Sequence, residues 1–327
     1  MTEPTSLSSL RTAVLLPCYN EATTIGSVVT GFRTALPNAA IYVYNNNSTD
    51  ATAEMAARAG AIVRKEPRQG KGAVLRRMFA DVEADIYIMA DGDATYAPDS
   101  VHTFTARLIE ENLDMVVGAR VDTTGQAYPA GHRLGNWMLS GLVRLIFGNR
   151  VRDMLSGYRA FSRRFVKSFP ATATGFEIET ELTVYALQQN IPIAEINTPY
   201  SPRPAESASK LSTFSDGFRI LRMILLLIRD EKPLQFFTIA AVISAALSLI
   251  LAAPILSEYA ETGLVPRFPT AFLSMGIGLL GLMFLNTGLI LDAIARVRYE
   301  RRRSVYLSFA SPQSRLSQVA PKHMGAN

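Results

Sequence analysis

Two acids one residue apart, Asp91 and Asp93 around Gly92, follow a short apolar run, Asp85–Ala90. Carboxylates in this spacing at the end of a buried strand can hold a hard divalent cation, Mg2+ or Mn2+, against a diphosphate; the same pattern also makes a plain turn with solvated acids. Pro17-Cys18-Tyr19-Asn20-Glu21 follows a second apolar run, Ala13–Leu16, and sets Tyr19 and Glu21 where a base or ribose could be met. Asn45-Asn46-Asn47-Ser48-Thr49-Asp50 follows a third, Ile41–Tyr44. Amides such as Asn45 and Asn46 both donate to and accept from a nucleobase edge, whereas Ser48 and Asp50 suit a turn and a helix cap. Gly70-Lys71-Gly72 opens a helical stretch, where backbone N–H groups and an ammonium suit a phosphate. It is not a dinucleotide fingerprint, because Leu75 stands where a third glycine would be. The chain has only three histidines and no recognisable nucleophile–base pairing. Asp153 is the one candidate acid or base, and a structural salt bridge to an arginine accounts for it equally well.

Such clusters act together only if one scaffold brings them to one edge. Apolar strand-like runs alternate with helical patterns: Ala13–Leu16, then Ile25–Leu36 with Thr23 or Thr24 as N-cap; Ile41–Tyr44, then Thr49–Ala59 with Ser48 as cap; Ala61–Lys65, then Gly72–Glu83; and Asp85–Ala90. This alternation predicts an α/β, Rossmann-like, mostly parallel sheet with helices on both faces. Ligands of such sheets sit at the carboxyl ends of the strands, where three of the polar clusters fall. Arg120–Arg133 reads as loop, Leu134–Phe147 as an apolar helix, Val151–Phe165 as strand and loop, and Glu177–Gln189 as a helix, with a boundary at Pro199–Pro204.

Apolar residues make up 48% of the 327, and they are concentrated late in the chain. Leu234–Leu256 and Thr270–Ile294 each exceed the roughly 20 residues that cross a hydrocarbon core. Lys210, Arg219, Arg222, Arg229 and Lys232 precede them, and Arg296, Arg298, Arg301, Arg302 and Arg303 follow. Basic flanks on both sides of two short-looped spans mark a cytoplasmic membrane face, so the net charge of +5 points to a lipid bilayer and not to nucleic acid. Leu211–Asp230 is basic and amphipathic, as an interfacial helix would be. One cysteine, Cys18, allows no intrachain disulfide, and the polar Met1–Arg11 carries no signal-peptide core. The expected division is 1–210 catalytic, 211–232 interfacial, 233–295 two transmembrane helices and 296–327 a basic cytoplasmic tail.

In their joint order, the segments Pro17–Glu21, Asn45–Thr52 and Asp91–Asp93 resemble the inverting family 2 glycosyltransferases, of GT-A fold. The resemblance implies that the first two segments bind a nucleoside and that Asp91 and Asp93 bind metal and diphosphate. This chain has Asn45 and Asn46 where that family usually carries acids. A narrower resemblance, to polyprenyl-phosphate glycosyltransferases of the dolichol-phosphate-mannose-synthase type, rests on Gly118-Ala119-Arg120, Arg133, Asn136, Ser140, Asp153, Ser156-Gly157-Tyr158-Arg159, Arg203 and Ser207–Lys210. It implies that Arg120, Arg133 and Ser140 bind an acceptor phosphate, and that Arg203 and Lys210 bind the diphosphate or the acceptor. The expected reaction is transfer from a nucleotide sugar, UDP before GDP, to a polyprenyl phosphate at the inner membrane. Self-association is left open. A processive polysaccharide synthase would resemble its family in a Gln-x-x-Arg-Trp motif; the one tryptophan, Trp137, follows Arg133-Leu134-Gly135-Asn136 instead. A membrane adaptor would have no need of strand-end acids, a glycine-lysine turn and loop arginines together.

Overall fold

The computed structural model describes residues 10–122, 151–171, 175, 177–201, 226, 229 and 232–319. Arg133, Ser140, Arg203 and Lys210, the stretch Leu134–Phe147 and nearly all of 211–230 lie outside the described residues. The chain divides into two compact units, 1–220 with 302–327, and 221–301.

The first unit is a seven-stranded sheet with the order β3-β2-β1-β4-β6-β5-β7. Its strands are β1 (Thr12–Cys18), β2 (Ala40–Asn45), β3 (Ile62–Lys65), β4 (Ile86–Met89), β5 (Met115–Asp122), β6 (Arg159–Ser162) and β7 (Ile193–Tyr200). Parallel pairing joins β3, β2, β1 and β4, and also β5 with β7; β6 runs antiparallel between β4 and β5. Central strands covered on both faces read as unbroken apolar runs: Val14, Leu15 and Leu16 of β1 and Ile88 and Met89 of β4 are fully buried. Helix α1 (Ile25–Ala35) buries Ile25, Val28, Val29 and Phe32, one stripe at helical spacing. Helices α2 (Thr52–Arg58), α3 (Lys71–Asp81), α4 (Val101–Glu110), α5 (Arg163–Ser168) and α6 (Ile178–Gln188) complete this part. The mostly parallel α/β sheet expected from the alternation is present.

Local differences have local causes. Helix α2 begins at Thr52 because Asp50 accepts the Thr52 N–H at 3.0 Å, while the Ser48 hydroxyl accepts the Asn20 N–H at 3.0 Å. Ser48 therefore ties two loops instead of capping a helix. Thr24 stands at the start of α1, yet its hydroxyl donates to the Gly92 carbonyl at 2.7 Å. Arg120, placed in a loop by the glycine and proline content that follows it, lies in β5 opposite Thr198 of β7.

The same unit takes in the end of the chain. Asp114 directly precedes β5 and is fully buried. It accepts from Ser162 Oγ at 2.6 Å, from Arg164 at 3.0 and 2.6 Å, and from the Tyr306 hydroxyl at 2.6 Å. The Arg164 guanidinium also lies 4.3 Å from the Tyr306 ring centroid. Asp85, directly before β4, accepts from Arg11 N at 3.0 Å and from Arg315 Nε at 2.8 Å. Arg315 belongs to helix α9 (Pro312–Val319). The C-terminal segment thus closes the amino end of the sheet, opposite the carboxyl ends.

The second unit pairs helices α7 (Pro233–Thr262) and α8 (Phe268–Leu307), the latter passing back into the first unit at residue 302. Both are long and apolar enough to cross a membrane. They pack antiparallel, with Ser248 Oγ donating to Ser274 O at 2.8 Å and Ser274 Oγ to Ser248 O at 3.0 Å. Gly263, at φ 67°, ends α7 in the left-handed conformation that glycine adopts most readily. Ile250 and Met283 remain 68% and 64% exposed, part of an apolar surface that water disfavours.

Tyr306→Phe removes one bond to a buried carboxylate and keeps the ring. It is expected to lower stability by roughly 1–3 kcal/mol, read as a lower thermal unfolding midpoint in detergent. An unchanged midpoint would show that the tail adds nothing through Asp114.

Candidate active site

At the carboxyl ends of β1, β2 and β4 the loops are hydrogen-bonded to one another. Asn20, at φ 53°, donates from its N–H to Ser48 and accepts the Thr49 N–H at 2.8 Å. Glu21 N donates to Thr52 Oγ1 at 2.8 Å, and Ala22 N to Asp50 at 3.1 Å. The loop carrying Pro17, Tyr19 and Glu21 is therefore latched to the loop carrying Asn45 and Asn46. Glu21 is 6% exposed and Tyr19 37%, so the ring of Tyr19 is the more open of the two.

Asn46 is buried, and its amide works on the next loop. Its Nδ2 donates to the carbonyls of Glu66 at 2.9 Å and Arg68 at 2.7 Å, and its Oδ1 accepts Gly70 N at 2.7 Å. Asn45 Oδ1 accepts Ser48 N at 2.9 Å. Asn46 thereby sets the turn from which α3 and Lys71 start.

The Lys71 ammonium, 8% exposed, donates both to Asp91 at the end of β4 and to Glu179 on α6, the latter at 2.5 Å. Burial alone would lower the pKa of Lys71. The charges of Asp91 and Glu179 outweigh it and raise that pKa, so the ammonium stays protonated. Burial raises the pKa of Glu179, and Lys71 offsets this only in part. Gly92 sits where an added Cβ would lie 2.6 Å from Cys18 Sγ, which leaves only glycine between the two acids. Asp93 is 1% exposed and accepts from Thr95 N at 3.2 Å and Thr95 Oγ1 at 2.6 Å. Between them Ala94 holds φ 59°, a conformation alanine rarely adopts, so the turn that aims Asp93 carries strain.

A second network lies beside the first. Arg120 grips Asp153 through two guanidinium nitrogens, each at 2.7 Å, and Arg120 N adds a third bond at 3.2 Å. Burial would raise the pKa of Asp153, but Arg120 overrides it and holds the carboxyl below its ordinary range. Glu195 fixes this loop by accepting from Arg152 N at 2.9 Å and Asp153 N at 2.8 Å. Arg120 also faces the Tyr200 ring at 5.5 Å.

Arg159 joins the two networks. It is fully buried, and its guanidinium donates to Ser156 O at 2.9 Å, Met154 O at 2.6 Å and Thr183 Oγ1 at 2.9 Å. Burial pushes its pKa down to about 10. Thr183 Oγ1 in turn donates to Glu179 O at 3.1 Å. One arginine thus pins the 154–156 loop to the helix turn that presents Glu179. At the tip of that loop Gly157 N donates to Tyr96 at 3.0 Å, and any Cβ on Gly157 would strike the Asp91 carboxylate.

Residues 13–169 match the model described as Glycosyl transferase family 2. Glycosyltransferase AglJ of Haloferax volcanii is 32% identical over 295 residues, covering 89% of this chain and 96% of AglJ. The chain belongs to glycosyl transferase family 2. A dolichyl-phosphate hexose transferase of the same organism is 29% identical over 221 residues, 67% of this chain and 95% of that one. Among solved structures, glucosyl-3-phosphoglycerate synthase from Mycobacterium tuberculosis, in complex with Mn2+, uridine diphosphate and phosphoglyceric acid, has a TM-score of 0.57 at 25% identity, covering 68% of this chain and 79% of that one.

For this family 2 glycosyltransferase the donor set suits Mg2+ or Mn2+. Among the described residues no group of three or more His, Cys, Asp or Glu could hold an ion. Asp91 and Asp93 offer hard carboxylate oxygens, leaving other positions for diphosphate oxygens and water. Lys71 already places one positive charge on Asp91.

The structure brings Pro17, Tyr19, Glu21, Asn45, Asn46, Lys71, Asp91 and Asp93 to the carboxyl edge of the sheet, and pairs Arg120 with Asp153. Glu179 and Glu195 were not singled out in the sequence, and Thr24 was read only as a helix cap.

Gly157→Ala puts a methyl group against Asp91. It is expected to lower transfer about 100-fold, the scale of a reacting group displaced by about an ångström, with an unchanged unfolding midpoint. Wild-type turnover would show that Asp91 needs no fixed position.

Proposed function

We propose that this glycosyltransferase moves a hexosyl group from a nucleotide sugar, a UDP-sugar in preference to a GDP-sugar, onto a polyprenyl phosphate at the cytoplasmic face of the inner membrane, with inversion. The observation that carries this reading is the presence in one chain of a family 2 unit and two helices of membrane length. A lipid phosphate keeps its charged group at headgroup level and its hydrocarbon in the bilayer, so its enzyme gains from both parts. The dolichyl-phosphate hexose transferase relative supports the acceptor class, and the neighbour crystallised with uridine diphosphate supports the donor.

In this reading Pro17, Tyr19, Glu21, Asn45 and Asn46 form the nucleoside side, Asn46 acting through the turn it holds. Lys71, with Arg203 and Lys210, neutralises the diphosphate, and Asp91 and Asp93 would hold Mg2+ or Mn2+. A bound divalent ion stabilises the negative charge of the departing diphosphate. Arg120, Arg133 and Ser140 receive the acceptor phosphate. A phosphate monoester has a second pKa of about 6 and is largely anionic at neutral pH. Its oxygen attacks the anomeric carbon as the bond to the diphosphate oxygen breaks, and no proton need be removed. Asp153 therefore serves to aim Arg120, which its bidentate contact and lowered pKa favour over proton transfer.

Membranes containing the chain, supplied with radiolabelled UDP- or GDP-sugars and undecaprenyl phosphate, are expected to form a labelled lipid phosphate sugar. Excess chelator and Asp93→Asn should each abolish the product. Full transfer in chelator would remove the cation from the mechanism, and label reaching only soluble acceptors would remove the lipid.

Topology has its own check. Basic residues flank both helices, and the segments before and after them belong to one compact unit, so an even number of crossings is required. A reporter active only in the cytoplasm, fused at Gly263, is expected to be silent, while fusions at either terminus are active. Activity at Gly263 would overturn the two-span arrangement.

A further inference from the structure

Lys71 stands on Asp91 as a cation would, and a second carboxylate, Glu179, already shares its ammonium. We propose that Glu179 is a positioning residue that draws Lys71 off Asp91 when a divalent cation arrives, so that ammonium and cation exchange places on one carboxylate. This rests on reading Asp91 as a cation ligand.

The geometry favours an exchange over simple crowding. The side chains of Lys71 and Glu179 are 8% and 7% exposed, whereas that of Asp91 is 25% exposed. A cation entering from the crevice reaches Asp91 first. Gly157 backs the Asp91 carboxylate, so Asp91 has little room to swing away from its visitor. Lys71, in contrast, has a flexible four-carbon stem and a charge that any donor hydrogen can carry. An ammonium and a divalent ion on the same oxygens repel strongly in a site largely shut off from water. The one that can move is Lys71, and among the described residues Glu179 is the carboxylate that would keep it paired.

Glu179 is itself held from behind. Its carbonyl accepts from Thr183, which Arg159 grips, so the carboxylate is presented from a fixed helix turn. The three charges sum to −1 before a cation binds. Without Glu179 the pair of Asp91 and Lys71 would be neutral, and Lys71 would have no second anion to retire to. Glu179 thus acts through Lys71 and not as a ligand.

The test is Mn2+ binding to the donor-free, detergent-solubilised chain, read by the electron paramagnetic resonance of free Mn2+, with no turnover involved. Glu179→Gln is expected to weaken binding roughly tenfold, and Lys71→Met to tighten it roughly tenfold. With Lys71→Met already present, adding Glu179→Gln should shift the affinity by less than about twofold, because the effect passes through Lys71. An equal loss from Glu179→Gln with and without Lys71 would overturn the proposal, as would unchanged Mn2+ affinity in Lys71→Met. Should either variant fail to fold, Glu179→Asp, which keeps the charge and shortens its reach, is expected to weaken Mn2+ binding several-fold, and wild-type affinity there would overturn the proposal. A wild-type chain that binds no Mn2+ even with uridine diphosphate present would instead defeat the cation reading of Asp91. Binding with an additive cycle defeats only the role of Glu179.

Discussion

A buried ammonium is stable only where anions replace the water it has lost, and Lys71 has two, Asp91 at a strand end and Glu179 on a helix. Much of the site follows from satisfying that one charge. The Asn46 amide sets the turn that starts α3, Arg159 and Thr183 fix the helix turn of Glu179, and the Gly157 backbone backs Asp91. Removing Asp91 or Glu179 would leave the buried ammonium with one anion fewer, which costs more than the ion pair itself contributes.

Alongside this lies a different use of an ion pair. Arg120 and Asp153 satisfy each other in bidentate geometry, and Glu195 fixes the loop by its backbone. An arginine anchored on one side by a carboxylate and faced by the Tyr200 ring has its plane defined. Arg159 couples this network to the first, so displacement of the 154–156 loop would be felt at both. Strain sits in the same place: Asn20, Asn47 and Ala94 all hold left-handed backbone where β1, β2 and β4 end.

Much of this was legible in the sequence, for identifiable reasons. Strands buried on both faces leave apolar runs, so the ends of β1, β2 and β4, and with them Glu21, Asn45 and Asp91, could be located without a structure. Caps were harder. Ser48 and Thr24 have the chemistry of helix caps, but each spends its hydroxyl on another loop, and a one-dimensional pattern cannot tell a local partner from one 28 or 68 residues away. Asn46 illustrates the same limit, because an amide suited to a base edge is equally suited to two carbonyls and an N–H. Helix α6 hid Glu179, since every residue from Ile178 to Leu187 is buried and no polar face marks which acid matters. Arg120 was assigned to a loop by composition, yet pairing with β7, whose alternation is weak, extends β5 to Asp122.

The end of the chain makes the most distant contacts in the sheet-bearing unit. Arg303, one of the basic residues after the second apolar helix, donates to the Gln189 carbonyl, and Arg315, further on, donates to Asp85. Tyr306 and Asp114 are 192 residues apart, and Arg315 and Asp85 are 230 apart. Closing loops of that length costs only a little more than closing short ones, because the entropy grows with the logarithm of length. A helical hairpin lessens even that cost, since it returns the chain to the side it left. The buried carboxylate of Asp114 is satisfied by Arg164 and Ser162 from nearby in the sheet and by Tyr306 from beyond the second apolar helix. The amino end of the sheet is therefore completed by residues that follow both apolar helices in the chain, and part of the buried polar network of this unit belongs to that last segment.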